Sequence, residues 1–189
     1  MNDPIVVTGL GAVSPLGASV RTNWQRLLAG KSGIRRNTRF DTSDWKCQIA
    51  GLVPSIADDP EGFDPSRVMS APELRKTDVF IHYAMAAAKE ALQQAAWQPE
   101  DTATRARTAT IVGTGVGGIP AITAAHKILA ESGPRRLSPF LVPSFLPNLA
   151  AGQVAIEFGF YGPSGAPTTA CAASAQAIGD AMRLIRSGE

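Results

Sequence analysis

Histidine and cysteine are scarce in this sequence: two of each among 189 residues, at Cys47, Cys171, His82 and His126. The cysteines do not stand at CxxC spacing and no histidine cluster accompanies them, so the patterns that bind structural or catalytic metal are missing and no metal site is expected. Two cysteines without a signal-peptide pattern argue against a disulfide-stapled secreted fold; free thiols in a reducing compartment, the cytoplasm, are expected. Long apolar runs are missing too. Each stops well before the roughly 20 residues that a spanning helix requires, so no membrane crossing is expected. Charge of one sign is equally lacking: 18 Lys and Arg stand against 16 Asp and Glu, a net charge of +2. With no basic run interleaved with aromatics, nucleic acid is not an expected partner.

What remains is the balance of an ordinary globular chain, 44% hydrophobic and 18% charged, long enough to bury a core of its own and, by default, one domain. No internal repeat or low-complexity tract is present. Ile5 to Gly9 is a β-branched apolar run ending at a glycine, which predicts a buried strand at the outset. Val20, Trp24, Leu27 and Leu28 recur at helical spacing after a Ser19 cap and before Gly30, which predicts an amphipathic helix. Ser32 to Pro72 reads as loop, with a short strand over Gln48 to Val53. From Pro72 to Trp97, Leu74, Val79, Tyr83, Ala86, Ala87, Ala91 and Ala95 predict one long packed helix. A second buried strand, Thr108 to Gly113, leads into a glycine-rich turn and a helix from about Pro120 to Glu131. A further helix follows over Leu149 to Phe158. A small-residue strand near Gly165 to Ala170 then precedes a last helix with Ile178, Met182 and Ile185 on one face. Strands alternating with helices predict an α/β fold.

Three features could carry chemistry. In Thr168-Thr169-Ala170-Cys171-Ala172-Ala173-Ser174, a cysteine stands at a strand-to-helix junction among residues too small to crowd an acyl group. Backbone N–H groups and the positive end of the following helix would favour a thiolate there, making Cys171 a candidate nucleophile. An inert buried cysteine is the competing reading, because free Cys is among the most buried residue types. No base is evident: His82 and His126 both fall within helical patterns, and Cys47, in a loop-like stretch, reads as an ordinary thiol.

Gly113-Thr114-Gly115-Val116-Gly117-Gly118 has GxGxxG spacing between a strand and a helix, the local setting of a dinucleotide turn. A nucleotide-binding oxidoreductase would need an acidic residue about 20 positions on. Gly133-Pro134-Arg135-Arg136-Leu137-Ser138-Pro139 stands there instead, without acid or strand pattern, so the glycines read better as points of sharp turning or close backbone approach. The third feature is the set of basic pairs Arg35-Arg36, Arg75-Lys76 and Arg135-Arg136, which are either solvated loop charge or marks of an acidic partner.

Several segments together resemble the β-ketoacyl-[acyl carrier protein] synthases, and among these the synthase II type of bacterial fatty-acid synthesis. They are Val6-Val7-Thr8-Gly9-Leu10-Gly11 with Ser14-Pro15, Phe40-Asp41-Thr42-Ser43, Arg75-Lys76 with Asp78, and Gly115-Val116-Gly117-Gly118. Further on come Gly133-Pro134-Arg135, Ser138-Pro139-Phe140, Val142-Pro143-Ser144 and Thr169-Ala170-Cys171. Thr77 and Leu141 depart from the residues commoner in that family. The resemblance implies a thiolase-like fold of layered αβαβα architecture, of which residues 1–189 would form the amino-terminal half. The carboxy-terminal half, absent from this chain, would carry two catalytic histidines, a lysine and a second oxyanion amide.

The resemblance further implies that Cys171 takes an acyl group from acyl carrier protein and that malonyl-carrier then condenses with it after losing carbon dioxide. Val116 would limit acyl length at the pocket wall. Arg75, Lys76, Arg135 and Arg136 would receive the carrier protein. Leu141 to Asn148 and the strand before Cys171 would lie at a homodimer interface. No cofactor is implied beyond the phosphopantetheine arm of the carrier. A non-catalytic chain-length-factor subunit would share the fold but lack the cysteine.

Overall fold

The computed structural model describes residues 4–189. Along the chain lie α1 (Val20–Leu28), β1 (Ile34–Arg36), β2 (Ile49–Gly51), α2 (Ala71–Leu74), α3 (Val79–Ala95) and α4 (Thr102–Ala106). They are followed by β3 (Thr110–Ile111), α5 (Ile119–Ser132), α6 (Leu141–Phe145), α7 (Leu149–Phe158), β4 (Ser164–Gly165) and α8 (Ala173–Ser187). The described residues group into two compact units. One is built from Thr8–Val68 with Ala86–Ala96, the other from Met69–Met85 and Trp97–Glu189 with the start of the chain.

In the first unit α1 starts where its sequence says it should. The Ser19 side chain accepts the N–H of Thr22, satisfying one of the donors that a helix start leaves open. Strands β1 and β2 form an antiparallel pair with Arg35 opposite Ala50. Glu90, on the later turns of α3, accepts the N–H groups of Ala12 and Val20, both at 2.9 Å, and so ties two segments of the loop region to the helix. Arg26 and Asp59 form a two-pronged ion pair, Nη1 to Oδ2 at 2.5 Å and Nη2 to Oδ1 at 2.9 Å.

The second unit holds the larger core. Ile81 and Met85 from α3, Ala150, Ala151 and Val154 from α7, Phe160, and Ala173 and Ala177 from α8 are all buried. β3 and β4 run parallel, with Thr110 opposite Ser164 and Ile111 opposite Gly165. The N–H groups of Val112 and Thr114 continue this pairing to the carbonyls of Gly165 and Pro167, each at 3.0 Å.

Two sequence expectations are corrected. Ile5 to Gly9 joins no sheet among the described residues, and Val6 and Val7 are 67% and 78% exposed rather than buried. A strand needs a partner for its N–H and C=O groups; here the segment runs on into Gly9 and Gly11, which lie against the backbone of Ala91 and Ala87 on α3. The single helix expected over Pro72 to Trp97 is two, α2 and α3. The break falls at Thr77 and Asp78: Thr77 Oγ1 bonds back to the Glu73 carbonyl at the end of α2, and the Asp78 carboxylate turns away to accept from Ala121. The Asp78 N–H also leaves the helical ladder and donates to the Ser144 carbonyl at 3.2 Å. α4 and α6, five residues each, are too short to show a period in the sequence.

Candidate active site

After β4 the chain runs without regular structure to Thr169, makes a 3-10 turn over Ala170–Ala172 and enters α8 at Ala173. Cys171 sits in the middle of that turn, as a free and exposed thiol. Ala170, immediately before it, has φ +53°, in the left-handed region that costs an L-residue roughly 1–2 kcal/mol. The other non-glycine residue with positive φ is Ala96, just past the end of α3, where left-handed geometry ordinarily closes a helix. Ala170 terminates nothing. Its conformation lies where the chain turns from the segment after β4 into α8, and the next side chain, Cys171, faces solvent. Strain held in this way clusters at functional positions.

The glycine-rich turn abuts this junction. A Cβ on Gly113 would stand 2.4 Å from the Ala173 carbonyl oxygen and 2.7 Å from the Ser174 nitrogen. At the far end Gly117 has φ +87°, and a Cβ on Gly118 would meet Asp78 Oδ2 at 2.8 Å and Phe145 Cα at 2.9 Å. The GxGxxG spacing therefore has a packing explanation, with close backbone approach at both ends. The stretch where a dinucleotide site would need its acid is a 3-10 turn, Pro134–Arg136. Val116 projects from the middle of the glycine turn and is 63% exposed.

Two of the three basic pairs belong to the second unit. Arg75 closes α2 and lines a cleft of about 170 Å³ together with Ile128, Leu137, Phe140 and Leu141. The Lys76 ammonium lies 4.7 Å from the centroid of the Phe140 ring. Arg135 and Arg136 occupy the 3-10 turn directly before Leu137. The cleft is lined by Arg75, with Lys76 over one of its lining rings, and Arg135 and Arg136 precede its lining residue Leu137 in sequence. Arg35 and Arg36 belong to the other unit, on β1, where Arg35 donates to the Pro15 carbonyl.

The histidines stay apart from this chemistry. The ring of His82 shares a 2.9 Å hydrogen bond with Thr77 Oγ1, and burial pushes its imidazole below the usual value, partly offset by the nearby Asp78. His126 lies on the exposed face of α5. Cys47, also exposed, points its thiol at the Ile49 carbonyl at 3.6 Å. Among the described residues no cluster of three His, Cys, Asp or Glu could hold a metal ion, and no helix is long and apolar enough to cross a membrane. Asp78 emerges as a residue the sequence patterns pass over, entering there only as one letter of a resemblance.

Residues 2–189 match the family described as beta-ketoacyl synthase, N-terminal domain. The chain belongs to this family. Among its beta-ketoacyl synthase relatives is the 3-oxoacyl-[acyl-carrier-protein] synthase 2 of Rhizobium meliloti (strain 1021), 45% identical over 186 residues, covering 98% of this chain and 44% of that protein. The chain therefore spans less than half the length of the curated relatives it matches. The fold is similar to that of the ishigamide ketosynthase/chain length factor, with a TM-score of 0.82 and 32% identity over 97% of this chain and 44% of that one. It is also similar to AntDE in a type II PKS acyl-carrier protein complex with its ketosynthase, with a TM-score of 0.71 and 24% identity over 97% of this chain and 46% of that one. These neighbours identify the α/β fold as thiolase-like.

Proposed function

We propose that this chain supplies the nucleophile-bearing part of a 3-oxoacyl-[acyl carrier protein] synthase that extends acyl chains in fatty-acid synthesis. The Cys171 thiolate attacks the thioester carbonyl of acyl-carrier protein; the bond to the phosphopantetheine sulfur breaks, and that thiol leaves with a proton. Malonyl-carrier then loses carbon dioxide, and the resulting enolate carbon attacks the Cys171 thioester. A carbon–carbon bond forms, the cysteine thiolate is released, and the product is a β-ketoacyl-carrier. The histidines for the decarboxylation come, in this reading, from outside residues 1–189. No cofactor takes part beyond the carrier's own phosphopantetheine arm.

The observation that carries the proposal is Cys171 itself: exposed, preceded by a strained Ala170, and placed at the entrance to α8. Val116, exposed on the neighbouring glycine turn, serves as the pocket wall that limits acyl length. The carrier protein docks on Arg75, Lys76, Arg135 and Arg136, whose long-range attraction to an acidic surface speeds encounter. The complete synthase is a cytoplasmic homodimer in this reading, with Leu141 to Asn148 at its interface. A chain-length-factor role is the second reading, favoured by the likeness to the ishigamide ketosynthase/chain length factor and opposed by the presence of Cys171.

The test is covalent labelling of the complete synthase with a cysteine-directed condensing-enzyme inhibitor, followed by mapping of the adduct. Cys47 and Cys171 are both exposed, so accessibility alone does not decide the outcome. Stoichiometric modification of Cys171 with loss of condensation is expected. Modification of Cys47 alone, with activity lost, would refute the assignment.

A further inference from the structure

Asp78 is a carboxylate with a relative exposure of 8%, and no chemistry described so far uses it. Its Oδ2 accepts the backbone N–H of Ala121 at 2.9 Å, in the first turn of α5. Helix α5 has no capping side chain of its own, because Gly118 occupies its N-cap position. Asp78 thus serves as an N-cap from 43 residues away, meeting one of the open donors at the positive end of the helix with a charged acceptor. The same side chain presses on Gly118, and the Asp78 N–H holds the Ser144 carbonyl at the end of α6. The neighbouring Gly118 N–H donates to the Phe145 carbonyl at 3.0 Å. One buried residue therefore joins the start of α3, the start of α5 and the end of α6 at the point where the glycine turn begins its helix.

We infer that Asp78 is a positioning residue for acyl-length selection: by clamping Gly118 and Ala121 it fixes the turn that carries Val116. The turn is pinned at two ends. Gly113 is locked against Ala173 and Thr114 against Pro167 on the Cys171 side, while Gly118 is locked against Asp78 on the other. Between them a Cβ on Gly115 would meet nothing within 4 Å, so the middle of the turn carries no packing restraint at that point. Removing the Asp78 clamp leaves that end held only by the Gly118 N–H bond to Phe145 and the packing of Gly117 on Phe145 and Pro147, so it loosens and Val116 can then yield to a longer chain. The inference rests on the reading of Val116 as pocket wall, and the experiment separates the two.

In the complete synthase, kcat/KM is measured for a long and a short acyl primer in Asp78→Ala, Asp78→Asn, Gly118→Ala and Val116→Phe. Asp78→Ala is expected to raise the long-to-short ratio about tenfold, the factor carried by one charge-assisted hydrogen bond. Asp78→Asn keeps an oxygen acceptor for Ala121 and should restore the ratio to near that of the parent. A merely structural aspartate would lower both primers alike and leave the ratio fixed. Should Asp78→Ala fail to fold, Gly118→Ala probes the same contact from the opposite side and must shift the ratio. A ratio unchanged in every folded Asp78 and Gly118 variant while Val116→Phe lowers it overturns the positioning role alone. A ratio unchanged in Val116→Phe as well overturns the pocket-wall reading and the positioning role with it.

Discussion

Gly113, two residues past β3, meets Ala173, the first residue of α8, backbone to backbone: a Cβ on Gly113 would stand 2.4 Å from the Ala173 carbonyl oxygen. Ala173 lies two residues after Cys171, so this contact sets where the Cys171 thiol stands relative to the glycine turn. Gly113→Ala must push the start of α8 aside, an overpacking that costs about 1–3 kcal/mol. The expected outcome is a lower melting temperature together with slower labelling of Cys171 but not of Cys47. Equal labelling rates at both thiols in a folded variant would mean that the contact does not govern the thiol's position.

Reversing Arg75 and Lys76 to glutamate should raise KM for acyl-carrier protein about tenfold or more while leaving KM for a short acyl-pantetheine analogue nearly unchanged, since only the carrier presents an acidic surface. Loss of the Lys76 contact with Phe140 adds a stability cost of about 0.5–1 kcal/mol. The paired kinetic measurement separates docking from folding, because a folding defect would weaken both substrates equally.

Acid should weaken the first unit through Asp59. The hydrogen bond from Arg26, with help from the Glu61 N–H, lowers its carboxyl to about 2, against about 3.9 when unfolded. The stabilisation this gives is complete above the unfolded value and is lost as pH falls through about 4 toward 2. Asp59→Asn should lower stability near neutrality by about 1 kcal/mol, in keeping with a partly exposed pair, and flatten that acid limb. Melting curves from pH 2 to 7 for parent and variant give the comparison; parallel acid limbs would contradict it.

Residues 1–189 alone are expected to form no β-ketoacyl product. His82 is held by Thr77 and His126 lies on an exposed helix face, so neither stands as a partner for Cys171. Ile178 and Ile185 on α8 are 64% and 61% exposed, which should also make the isolated chain prone to associate. A product assay on the purified chain, with sedimentation alongside, checks both points. Measurable condensation by a monomer would contradict them.

The helices are the most legible part of the fold. α1, α5, α7 and α8 lie within a few residues of where period, caps and flanking glycine or proline put them, because each depends on neighbours within a turn or two. The strands are less so. Ile5 to Gly9 has the composition of a strand but no strand partner among the described residues, and pairing is a property of two segments rather than one. The break between α2 and α3 is hidden for a similar reason: Asp78 interrupts an apolar period because its carboxylate and N–H bond to Ala121 and Ser144, far along the chain.

The sequence by itself determined the α/β composition, the small-residue setting of Cys171 and the family to which the chain belongs, all of which are carried by local order along the chain. Tertiary structure alone decided that Cys171 is exposed and that Ala170 is strained beside it. It also set Arg75 in a cleft with Ile128 and Leu141 and made Asp78 the cap of a helix 43 residues away. Those facts depend on which distant atoms come within about 3 Å, the reach of a hydrogen bond, and a periodic pattern cannot encode them, since it constrains only residues that share a face of the same helix or strand.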